Sequence, residues 1–182
     1  MTRRTLTAQG MVGLLLTVAF LGCETRSPNE VSGEITTVVL VRHAEKELSG
    51  DDPGLTEPGT ERAHKLAHVA GEMEVSAVYS TQFLRTRATA EPLANLLGLE
   101  LSVVAGGGSY AAEMAEIVRT RHVGETVVIV SHSNTVPAII GELGVSPVPV
   151  IEDDEYDDLY VVIIAPSGEV HLLPLRYGRQ TP

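Results

Sequence analysis

Thr36-Thr37-Val38-Val39-Leu40-Val41 runs directly into Arg42-His43. A continuous β-branched and aliphatic run of this length has no polar face, so it reads as a strand buried on both sides. In open α/β sheets the chemistry gathers just outside the carboxyl ends of the strands. Arg42 and His43 are therefore expected on a rim, delivered there by a rigid scaffold.

The same pattern recurs along the chain. Glu74 to Tyr79 reads as a second strand, ending in Ser80-Thr81 and leading to Arg85. Thr126 to Val130 is another buried-type strand, followed by Ser131-His132. Helical patterns fall between the strands. Thr56 is placed to cap a helix from Glu57 to Ala70, with Ala63, Leu66, Ala67 and Ala70 as its apolar stripe. Phe83 to Leu97 is a helix with Gly98 at its C-cap and Pro92 inside, where a kink or a break is expected. A short strand spans Leu101 to Val104. Ser109 is expected to cap a helix over Tyr110 to Arg121, and Val136 to Leu143 is a helix with Pro137 in its first turn. Strands at Leu159 to Ala165 and Glu169 to Leu175 flank Pro166-Ser167-Gly168 as a hairpin. This alternation predicts an α/β fold with a mostly parallel sheet and an antiparallel part at the end. Parallel strands bring Arg42, His43, Arg85 and His132 to one rim. Two arginines and two histidines there make a compact cationic pocket suited to a phosphate group.

Residues 1–22 read as an export leader. Arg3 and Arg4 form a positive n-region, Met11 to Leu21 is apolar but short, and Gly22 precedes Cys23, the only cysteine. Phe20-Leu21-Gly22-Cys23 resembles a lipobox, so Cys23 is the expected lipidated N-terminus. A polar tether follows over residues 23–34, and the domain is expected over 35–178. Without residues 1–22 the chain carries 11 basic against 24 acidic residues, a net charge of −13. That balance leaves no basic stripe to neutralise a nucleic-acid backbone. A lone cysteine also excludes an intramolecular disulfide framework and thiol-rich metal sites. The expectation is an exported, membrane-anchored lipoprotein facing the periplasm or the cell exterior, touching the membrane through its N-terminal lipid alone.

Four blocks carry a family resemblance: Val41-Arg42-His43-Ala44-Glu45-Lys46; Leu55-Thr56-Glu57-Pro58-Gly59; Val78 to Ala90, including Ser80-Thr81 and Arg85-Thr86-Arg87; and Val127 to Thr135, including Ser131-His132-Ser133-Asn134. In this order and spacing they resemble the histidine phosphatase superfamily, phosphoglycerate mutase-like branch. The resemblance implies a three-layer α/β/α sandwich of phosphoglycerate mutase-like form. It also implies a metal-independent phosphatase, needing no cofactor, in which His43 becomes a phosphohistidine intermediate. Arg42, Arg85 and His132 would clamp the phosphoryl oxygens, and Ser133 and Asn134 would add substrate donors. The implied partner is a small phosphorylated substrate, or a phosphohistidine or acyl phosphate.

The resemblance also implies a carboxylic acid that protonates the leaving group. Ala105 to Tyr110 holds none, and Ser133-Asn134 stands where the acid-phosphatase branch has an aspartate. The general acid is unassigned, with Glu113 and Glu155 as candidates. A site without a strong acid suits leaving groups that need little protonation. The absence of a large cap insertion favours phosphatase over mutase. The alternatives are a catalytically weak phosphoryl-binding lipoprotein and a phosphoglycerate-mutase-type phosphotransferase. His64, His68, His122 and His171 read as surface or packing residues, and Arg87 as peripheral.

Overall fold

β1 (Thr36–Arg42) lies inside a six-stranded sheet whose order is β3-β2-β4-β1-β5-β6. The computed structural model describes residues 33–181. The leader-type segment 1–22, Cys23 and the tether as far as residue 32 lie outside that range. β2 (Val75–Ser80), β3 (Leu101–Val103) and β4 (Thr126–Ser131) extend the sheet from β1 through parallel pairings. β5 (Asp158–Ile164) and β6 (Val170–Arg176) close the other side as an antiparallel hairpin. The expected mostly parallel sheet with an antiparallel end is therefore the observed one.

Strand periodicity divides β1 between two cores. Val38 and Leu40 face a cluster with Met114 and Val118 of α3 (Tyr110–Arg121) and Ile139 and Ile140 of α4 (Thr135–Glu142). Val39 and Val41 face the opposite cluster, with Leu66 and Ala70 of α1 (Glu57–Ala70) and Leu93 of α2 (Leu84–Leu97). All four β1 side chains are fully excluded from solvent. Alternating side chains that all need cover require a layer of helices on each face, which gives the α/β/α sandwich.

The helix signals were mostly local, and they mostly set the boundaries. Thr56 accepts a hydrogen bond from the Gly59 N–H at 3.2 Å, and Gly98 closes α2 with φ of 67°. Two expectations are corrected. α2 runs unbroken through Pro92, which is half-buried on the rim of a groove shared with Ala88, the residue whose carbonyl the proline leaves without a helical donor. Ser109 holds the N-cap position of α3 with helical dihedrals, and its side chain makes no capping bond.

One node fixes the segment that follows β1. Arg62 on α1 is 3% exposed and forks onto Glu45 through Nε (2.9 Å) and Nη2 (2.8 Å). Its Nη1 donates to the Tyr177 carbonyl and its Nη2 to the Arg179 carbonyl. Burial alone would raise the Glu45 pKa, but the hydrogen bonds and charge of Arg62 bring it below the usual carboxylate range. α1 approaches this segment so closely that a Cβ on Gly59 would collide with the Glu45 carbonyl oxygen. Gly59→Ala is accordingly expected to destabilise the protein by about 1–3 kcal/mol through overpacking. A urea titration against the parent protein measures it.

Candidate active site

The pairing register assembles the centre of the site. β1 and β4 pair in parallel with Arg42 opposite Ser131, and the His43 N–H continues the ladder to the Ser131 carbonyl at 2.8 Å. The next residue on each strand is a histidine, so His43 and His132 are set side by side. Their ring centroids are 5.5 Å apart, nearly edge to face. β2 ends in register with β4, and Thr81 beyond it reaches His132 Nε2 at 3.1 Å. Thr81 in turn shares a 2.7 Å hydrogen bond with Thr86 in the first turn of α2.

His43 is 4% exposed, and its Nδ1 lies 2.8 Å from the Ala44 carbonyl. A carbonyl only accepts, so Nδ1 carries the proton and Nε2 keeps its lone pair. Burial is the main reason that its pKa falls to about 3. The Ala44 hydrogen bond opposes that shift, and Arg42, His132 and Arg85 reinforce it. His132 falls to about 4, again through burial first and then Arg85 and Arg42. Both rings are neutral over the physiological range.

Arg42 is 6% exposed, and its Nη1 lies 2.9 Å from the carbonyls of Glu152, Asp153 and Glu155. The acidic segment before β5 does return to the rim, but it meets Arg42 with backbone oxygens. The Glu155 carboxylate turns to the Glu152 N–H at 2.8 Å and to Arg176 at 3.5 Å, away from His43. Glu113 is exposed on the first turn of α3. Among the described residues, neither carboxylate hydrogen-bonds or pairs with His43 or His132. Arg85, in the first turn of α2, lies 3.5 Å from Asp52, whose carboxylate also accepts the Leu84 N–H. Of the expected substrate donors, Ser133 is half-buried beside His132 and Asn134 is exposed. Arg87 points outward and pairs with Glu91.

Several supporting residues carried no signal at this level in the sequence. Thr89 accepts from the Ala44 N–H at 3.0 Å while donating to the Arg85 carbonyl at 2.8 Å, tying the His43 segment to α2. Thr135 accepts from the His132 N–H at 3.0 Å and closes the turn after β4. Tyr156 lies with its ring centroid 6.2 Å from that of His43, and Phe83 lies 5.3 Å from His132. Away from the rim, His122 contacts Tyr79 at 2.7 Å and Glu125 at 2.6 Å, a packing role like the one expected.

Sheet, rim and paired histidines define an α/β protein with a cationic pocket at the carboxyl ends of its parallel strands. The model of the histidine phosphatase superfamily (branch 1) matches residues 38–106, a span that includes Arg42, His43 and Arg85. Over that segment the chain is similar to the histidine phosphatase superfamily. Among solved structures, the protein histidine phosphatase SixA complexed with tungstate superposes with a TM-score of 0.61 at 21% identity, covering 77% of this chain and 96% of that one. The mycobacterial glucosyl-3-phosphoglycerate phosphatase Rv2419c gives 0.61 at 16% identity, with 76% and 97% covered. At these identities the likeness is one of fold. PE-PGRS family protein PE_PGRS11 of Mycobacterium tuberculosis is 31% identical over 84 residues, 41% of this chain but only 14% of that protein.

The depressed histidines give stability a pH dependence of definite sign. In an unfolded chain both rings take up protons near 6.5. In the fold they do so only near 3 and 4. Below pH 6.5 the unfolded chain binds more protons, so stability falls as pH drops from about 6.5 toward 4 and is unaffected by these groups above that window. Two-dimensional NMR of the imidazoles should find both neutral at about pH 5.5. His43→Asn should flatten the fall in urea midpoint over the same range.

Proposed function

We propose that this protein is a metal-independent phosphatase that hydrolyses phosphoryl compounds through a phosphohistidine on His43. The observation that carries the reading is the state of His43: a neutral ring with Nδ1 bonded to the Ala44 carbonyl, Nε2 left as nucleophile, and Arg42, Arg85 and His132 around it. In the first step the Nε2–P bond forms as the bond from phosphorus to the leaving group breaks. Arg42, Arg85 and His132 neutralise the charge on the phosphoryl oxygens as it redistributes. Water then attacks phosphorus, the P–N bond breaks, and its electron pair returns to Nε2 as phosphate departs.

The proton for the leaving group limits the substrates. With Glu155 turned to Arg176 and Glu113 exposed, the site favours leaving groups that depart with little protonation: the imidazole of a phosphohistidine, an acyl group or a phenol. The superfamily match and the phosphatase names among the fold neighbours support this class of activity. The leader-type residues 1–22 and Cys23 support an exported protein held to a membrane by lipid. Incorporation of labelled fatty acid, lost in Cys23→Ala, tests that part separately.

Rapid mixing with a labelled aryl phosphate, quenched in alkaline denaturant, should trap phosphate on the parent protein and none on His43→Ala. Turnover of that variant should fall by about 10³-fold or more. Arg42→Ala and Arg85→Ala should each lose about 10²-fold. EDTA should leave the rate unchanged, and aryl phosphates or phosphoramidates should outpace alkyl monoesters. Equal rates on aryl and alkyl esters would exclude the leaving-group argument.

A further inference from the structure

Both arginines of the pocket rest on aromatic faces. The Arg42 guanidinium carbon is 4.2 Å from the centroid of Tyr156, and that of Arg85 is 4.5 Å from the centroid of Phe83. Each ring also touches one of the two histidines, Tyr156 against His43 and Phe83 against His132. The six side chains therefore form two matched units of one arginine, one aromatic ring and one histidine. We propose that Phe83 and Tyr156 are positioning residues, each holding one guanidinium flat beside its histidine where a carboxylate would otherwise serve. The inference rests on the reading of Arg42 and Arg85 as phosphate clamps and adds what aims them.

The physical case turns on what a buried guanidinium needs. Its charge is expensive to bury without a partner, and the usual partner is a carboxylate. A carboxylate here would neutralise the clamp and draw a proton onto His43. An aromatic face attracts the cation through its quadrupole without adding net negative charge or accepting the in-plane N–H bonds. The polar partners are arranged accordingly. Arg42 meets only carbonyl oxygens, all through Nη1, and the Nε atoms of Arg42 and Arg85 are both buried without a hydrogen-bond partner. Among the described residues, the carboxylate paired with Arg85 is Asp52, exposed and 3.5 Å away, a weak solvent-screened pair. The rings thus hold the orientation while in-plane donors remain for phosphate.

The composition makes this testable at one position. Phe20 and Phe83 are the only phenylalanines. In the full chain carrying Phe20→Leu, biosynthetic replacement by 4-fluoro-, trifluoro- and pentafluorophenylalanine alters Phe83 alone, draining its face of negative potential at nearly constant shape. Titration with inorganic phosphate should show the dissociation constant rising stepwise with fluorine count, by about 3- to 10-fold across the series. The thermal midpoint should stay level. Tyr156→Phe should keep phosphate affinity and Tyr156→Leu should lose it by a similar factor. An affinity that is flat across the series, or a Tyr156→Phe protein as weak as Tyr156→Leu, overturns the proposal. Should Tyr156→Leu fail to fold, the fluorine series decides alone. Phosphate binding is read without turnover, so a graded affinity with no trapped phosphohistidine would sustain the positioning role while removing the hydrolytic reading.

Discussion

The hydrogen-bond register between β1 and β4 is the constraint on which the site depends. Arg42 stands opposite Ser131, and the ladder continues from the His43 N–H to the Ser131 carbonyl. A slip of one residue would exchange the inward and outward faces of β1, exposing Val38 and Leu40 or Val39 and Val41 to the wrong core. The two apolar clusters therefore lock the register, and the register places the two histidine rings 5.5 Å apart. Hydrophobic burial, which has no directional preference of its own, fixes the placement of polar groups because the sheet offers only whole-residue choices.

Around that pair, charge is arranged by exclusion. The protein is strongly acidic, yet Glu45 turns to Arg62, and Glu155 and Asp157 to Arg176, while the exposed Asp52 approaches Arg85 no closer than 3.5 Å. The acidic segment before β5 touches Arg42 only through carbonyls. A pocket that stays cationic inside an anionic protein keeps two neutral histidines neutral and leaves an anion the best complement to the arginines.

The sequence was legible where signals were local or tied to strand ends. β1, β2 and β4 could be read from continuous apolar runs, and Arg42, His43, Arg85 and His132 from their positions just beyond those runs. Thr56 and Gly98 marked helix ends by their chemistry. Other features depend on contacts between distant segments. Arg62 looks like an ordinary helix residue until Tyr177, 115 positions later, offers its carbonyl. Tyr156 sits beside Glu155, which was read for its carboxylate, and the Thr89 hydroxyl bridges two segments of the site that no local pattern joins. Pro92 left open a break that α2 does not make, and the local pattern around a proline does not encode whether the helix continues past it.

The Arg62 node and the carbonyl clamp on Arg42 share a dependence on segments more than a hundred positions downstream. Arg42 needs residues 152–155, while Glu45 is held through Arg62 to Tyr177 and Arg179. β1 can pair with β4 once Ser131 is present, but Arg42 is held only with residues 152–155, and the segment after His43 only with Tyr177 and Arg179. A half-made or clipped chain would own the nucleophile and lack the frame that aims it.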